Sequence, residues 1–262
     1  MTENMTPPIP ARRDLPVLKA FAHMLSIVKS HWQKLLRPAL PWLALLALID
    51  VISFKLQGPK IQTPSKIEFD WFDLVSIALG LVAASSIAVS WHRYILIDAP
   101  LSAEPFFRLD KIVFSYLARS FVIYGLCLIP LVALAIIISL VAPILLPFIA
   151  ALFLQLAVFV CRMSISLPAI AIVRDKFGLK NAMEVSRGNN LRILGLLFLT
   201  YVILAMILLL YITIIAVISA IQPSLTLPTA LVLSMPIQFC SIILNASLLT
   251  SLYGYFVERR DF

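Results

Sequence analysis

Six long apolar stretches leave this chain almost no choice of fold. They run near residues 38–56, 71–90, 120–141, 144–161, 191–221 and 229–252. A helix needs about 20 residues to cross about 30 Å of hydrocarbon at about 1.5 Å per residue, and each stretch is of that order or longer. Residues 121–160 contain no charged residue. One helix of that length would overshoot a bilayer, so Pro143 and Pro147 divide it into two spans joined by a tight turn. The expectation is an all-α, polytopic membrane protein of six transmembrane helices.

Charge placement orients the expected bundle. Of the 21 Lys and Arg residues, 18 fall beside one set of span ends, leaving Lys55, Lys60 and Lys66 on the other side. Cytoplasmic loops retain Lys and Arg, so the pattern predicts that both termini are cytoplasmic. The composition agrees: 61% hydrophobic and 13% charged residues lie far from the soluble average of roughly half apolar and about a quarter charged. A formal net charge of +8 would point to nucleic acid in a soluble protein. Here the basic residues flank spans, where each gains about 1 kcal/mol from anionic headgroups, so the expected partners are the bilayer and its anionic lipids. A membrane partner subunit or a second copy of the chain fits equally, nucleic acid does not, and the expected location is the bacterial inner membrane.

Around the spans, residues 1–16 read as a flexible polar tail and residues 37–262 as a single membrane domain. Between 17 and 36, Val17, Leu18, Phe21, Leu25, Val28, Trp32, Leu35 and Leu36 recur at helical spacing opposite Lys19, His23, Lys29 and Lys34. That is the pattern of a basic amphipathic helix lying on the inner leaflet. Gly80, Ala84 and Ala88 give the second span a smooth face for close helix approach. A basic segment precedes the first, third and fifth spans, compatible with threefold duplication or simply with an even-numbered topology.

The most distinctive stretch follows the fourth span. It contains Arg162, Leu167, Pro168 and Ala169, then Gly178, Leu179, Ala182, Ser186, Arg187, Gly188 and Asn189. Leu179, Ala182, Met183 and Ser186 form a helical stripe that Gly188 can end, predicting a second interfacial helix. These two runs, over about 35 residues, resemble the YciC-type inner-membrane proteins. They also resemble the membrane domain preceding the catalytic domain in some glycerophosphodiester phosphodiesterases. The resemblance implies a six-span fold without an established activity. It marks Arg162, Pro168, Gly178, Arg187 and Gly188 as pattern positions and transfers no catalytic residue.

Enzyme chemistry finds little support in the residues. The histidines are His23, His31 and His92; the first two lie about 12 Å apart along a helix, too far to share one metal. Neither a zinc-protease, a serine-hydrolase nor a phosphate-loop motif occurs, so the expectation is a non-catalytic protein without metal or cofactor. Cys127, Cys161 and Cys240 fall in or at the end of spans and read as apolar fillers. Polar groups within spans are the remaining pointers, being costly in hydrocarbon. Arg93, Arg119, Arg162 and Arg187 could line an inner-leaflet headgroup site. Alternatively, Asp50, Gln155 and Asn245 could form a transport site between helices, with Pro130 and Pro236 supplying kinks. Asp50 could equally reach outer headgroups or pair with Lys55. Convergence of the three polar residues on one cavity would distinguish transport from lipid binding.

Overall fold

The structure, a computed structural model, describes residues 13–57, 71–102, 105–141, 146–174 and 176–262. The first twelve residues of the expected tail, the loop after Gln57 and the turn expected at Pro143 lie outside the described residues. Among those described the regular structure is all helical, with no strand. The elements are α1 (Val17–Gln57), α2 (Trp71–Ile97), α3 (Lys111–Val141), α4 (Leu146–Ser164), α5 (Ser166–Ala171), α6 (Leu179–Val185), α7 (Asn190–Ile221) and α8 (Thr226–Phe256), with a 3₁₀ turn at Pro223–Leu225. Six of these helices are long and apolar enough to cross a membrane, making the chain a multi-pass membrane protein.

Boundaries follow local chemistry. In place of an amphipathic helix ending before Pro38, α1 is one continuous 41-residue helix with Pro38 and Pro41 inside it. Pro16 leads into it, its carbonyl accepting from the Ala20 amide. Asp110 starts α3 as an N-cap: its Oδ1 accepts from the Val113 amide at 3.0 Å, satisfying one of the amides a first helical turn leaves open. Burial alone would raise the Asp110 carboxyl. The Arg108 hydrogen bonds, the Val113 amide and the Arg108 charge outweigh it and hold Asp110 below its ordinary value. A short helix is present where the second was expected, as α6, and Gly188 beyond it takes φ 80, a left-handed conformation that suits glycine.

The long helices close into a ring. α1 packs on α2, α2 on α3, α3 on α4, α4 on α7, α7 on α8, and α8 on α1. A cross-contact between α2 and α8 divides it. Small side chains allow this approach: Ala83, Ser86 and Ser90 of α2 and Ala246, Ser247 and Ser251 of α8 are all buried. From Ser85 to His92 α2 is buried at every position, so its second half is surrounded by protein. The expected close approach does not extend to Gly80, where an added Cβ would meet nothing within 4 Å.

α5 continues α4 after the single residue Ile165 and packs against α2, α3 and α8. It therefore lies among these three helices beyond Arg162 of α4. Leu167 and Ala171 join one core cluster while Ile165 and Ala169 join the other. Pro168 falls in the first turn of α5, where a missing amide hydrogen forfeits no helical bond. The helix ends with the Arg174 amide on the Ala169 carbonyl at 2.8 Å and the Val173 amide on the Ile170 carbonyl at 3.0 Å, the paired bonds of a Schellman motif. Val173 occupies the left-handed position at φ 60, where glycine is the usual residue.

Candidate functional site

The basic end of the bundle separates the four arginine candidates into three kinds. Arg162 is committed to protein. Its Nε donates to the Ser186 hydroxyl at 2.9 Å, Nη1 to Asn190 Oδ1 at 3.0 Å and Nη2 to the Met183 carbonyl at 2.5 Å. The two sequence runs that carry the family resemblance are therefore bonded to each other through this side chain. Arg93 is likewise engaged, donating to the Ala171 carbonyl at 3.2 Å and thereby holding the end of α5 to α2. Arg187 is exposed. Arg119, eight residues into α3, has a buried Nη1 without a hydrogen-bond partner. It has no ion pair among the described residues.

A buried guanidinium nitrogen with no partner is costly, since a charged donor forfeits its hydration on burial. Arg119 lies about 12 Å along α3 from Lys111, within reach of the headgroup layer by its long side chain.

The three transport candidates do not meet. Asp50 of α1 accepts a 3.3 Å hydrogen bond from Ser76 of α2 and forms no pair with Lys55 among the described residues. Gln155 is exposed on α4. Asn245 lines a cavity of about 230 Å³ bounded by α3, α4, α7 and α8, together with Tyr124, Phe153, Cys161, Leu197 and Tyr201. α3 packs on α4, α4 on α7 and α7 on α8, whereas α8 makes no comparable contact with α3 or α4 among the described residues. That gap is the cavity.

Two polar constellations carry no signal in the linear sequence. His92, fully buried, places Nδ1 2.8 Å from Thr250 Oγ1 and Nε2 3.3 Å from the Tyr116 hydroxyl. Thr250 gives its one proton to the Ala246 carbonyl, so it accepts from Nδ1–H, and Nε2 is left to accept from Tyr116. A neutral imidazole thus joins α2, α3 and α8. Asn189 is the second: its Oδ1 accepts from the Leu15 amide at 2.9 Å and its Nδ2 donates to the Arg13 carbonyl at 2.9 Å. Tyr255 donates to the Asp14 carbonyl at 2.8 Å, and Arg192 pairs with Asp14, so the segment before α1 is clasped to α7 and α8. The residues of both constellations are unremarkable in type and far apart in number, leaving only the Ser-Arg-Gly-Asn run as a pointer to Asn189.

Among the described residues no three His, Cys, Asp or Glu side chains could together hold a metal ion. No protein-family model, curated protein or solved structure matches the chain.

Proposed function

We propose that this is a non-catalytic, multi-pass protein of the bacterial inner membrane, with both ends in the cytoplasm, that binds anionic lipid at the cytoplasmic leaflet. The orientation is supported by the 18 of 21 Lys and Arg residues beside one set of span ends. The binding reading is carried by Arg119, a partly exposed cation with no ion pair among the described residues. A phosphate oxygen of a lipid headgroup supplies a charge-assisted acceptor for its guanidinium. Arg187, exposed at the same end, adds attraction to the anionic surface. The YciC-type resemblance is consistent with a membrane protein lacking enzyme chemistry.

Native mass spectrometry of the full chain with phosphatidylglycerol and with phosphatidylcholine tests this. The expected result is retained phosphatidylglycerol, weakened at least fivefold in Arg119→Gln, with phosphatidylcholine binding little changed. Equal retention of both lipids, or an Arg119→Gln variant that binds phosphatidylglycerol as well as the parent, overturns it. The same spectra report any bound subunit or second copy.

A further inference from the structure

We propose a second site, independent of Arg119, in the cavity bounded by α3, α4, α7 and α8. Its ligand is an uncharged, lipid-soluble ring compound bearing carbonyl oxygens, the chemistry of a prenyl quinone. Three features define it: depth, polar complement and access.

Depth comes from position along the helices. Tyr124 lies about 20 Å along α3 from Lys111, Tyr201 about 16 Å along α7 from Asn190, and Asn245 about 16 Å back along α8 from Phe256. Counted from the basic ends of the expected spans, at 120, 191 and 252, they lie about 6, 15 and 10 Å into the hydrocarbon. Membrane tyrosines usually sit at the interfaces, where their hydroxyls meet water and headgroups. Here the Tyr124 and Tyr201 hydroxyls and the Cys161 thiol are close enough to interact electrostatically. Neither hydroxyl has a hydrogen-bond partner among the described residues.

The polar complement selects the ligand. Asn245 spends an Nδ2 hydrogen on its own Ser241 carbonyl at 2.8 Å, leaving the other hydrogen free to donate. The site therefore offers three unused donors from three helices, beside Cys161 and Ser164, in a lining completed by Phe153, Leu197 and other apolar residues. Unmet hydroxyls in hydrocarbon cost several kcal/mol each. An acyl chain filling the space would leave all three unmet. A neutral ring with two carbonyl acceptors satisfies them. Volume agrees: a cavity of about 150 Å³ holds benzene, so about 230 Å³ suits one substituted ring.

Access is lateral. Tyr124, Phe153 and Tyr201 line the cavity yet remain 49%, 55% and 53% exposed, so it opens on the outer surface of the bundle, where a molecule dissolved in the bilayer arrives directly.

The test compares two probes on the full-length protein in nanodiscs, 2-decyl-1,4-benzoquinone and decylbenzene, which share the tail and ring but differ in carbonyls. The parent is expected to bind the quinone at least tenfold more tightly than decylbenzene. The double variant Tyr124→Phe with Tyr201→Phe keeps both rings and is expected to lose that preference while binding decylbenzene as before. Asn245→Leu is expected to weaken quinone binding separately. Equal affinity for the two probes, retention of the preference in the double variant, or occupation by phospholipid that the quinone does not displace each overturns the proposal. Arg119→Gln is expected to leave quinone binding unchanged, which separates this site from the headgroup site.

Discussion

Arg162 and Ser186 are joined at 2.9 Å from Nε to hydroxyl, and Ser186 passes its own proton to the Ala182 carbonyl at 2.7 Å. The end of α4 is thus locked to the end of α6 through an oxygen that accepts and donates at once. Replacing Arg162 with Lys retains the charge but not the planar fork that reaches three acceptors. Arg162→Lys is expected to destabilise the protein about as much as Arg162→Gln, by about 2 kcal/mol, seen as a lower unfolding temperature in detergent. Full recovery by Lys would show that only the charge at the basic end matters.

Val173 is 56% exposed and holds φ 60, so its side chain contributes little packing while its Cβ opposes the backbone. Val173→Gly is expected to stabilise the protein by about 1 kcal/mol, a gain read from thermal unfolding of the two forms side by side. An unchanged or lower midpoint would mean that glycine's greater freedom in the unfolded chain cancels the relief.

Asn189 holds main chain on both faces of its amide. Asn189→Ala is expected to free the Leu15 amide and accelerate its hydrogen exchange roughly tenfold, equivalent to about 1.4 kcal/mol. Amides in the buried half of α2 should exchange as before; a global increase would indicate unfolding rather than release of the segment before α1.

For Asp110 the folded carboxyl lies below its ordinary value. Its contribution to stability is therefore fully present above the unfolded carboxylate range, near pH 4, and is lost as pH falls through the lowered folded value. Asp110→Ala is expected to cost about 1 kcal/mol near neutrality through the lost cap and to flatten the acid limb of stability against pH. A parallel acid limb in parent and variant would assign the pH dependence to other carboxylates.

Asp50→Asn keeps an oxygen able to accept from Ser76. It is expected to insert and fold as the parent does, with a stability change below about 1 kcal/mol, checked by membrane yield and unfolding temperature. Loss of expression would make the carboxylate itself necessary.

The positions of the spans were legible because apolar length and the clustering of Lys and Arg are written directly in the chain. The 3.6-residue stripe of Leu179, Ala182, Met183 and Ser186 likewise announced α6. The helix expected at 17–36 and the span expected from 38 were not seen as one element, because Pro38 and Pro41 between them are accommodated inside α1. The arginines illustrate a different limit. Arg119, Arg162 and Arg187 look alike in sequence, yet one has a buried nitrogen unpartnered, one is fully bonded and one is exposed. Which of these a guanidinium becomes depends on acceptors supplied by other helices. The cavity was hidden for the same reason: Tyr124, Tyr201 and Asn245 are 44 residues or more apart, and only the gap that α8 leaves beside α3 and α4 brings them to one space. Asn245 was noticed as polar within a span, but its expected companions, Asp50 and Gln155, lie elsewhere.

The packing of α5 among α2, α3 and α8 fills the Arg162 end of α4 with protein: Ser166, Leu167, Pro168, Ala169 and Ala171 are all buried there. The cavity beside α3, α4, α7 and α8 is instead lined by the half-exposed Tyr124, Phe153 and Tyr201. What reaches it comes in the plane of the membrane, and its chemistry is filtered by solubility in lipid before any side chain touches it.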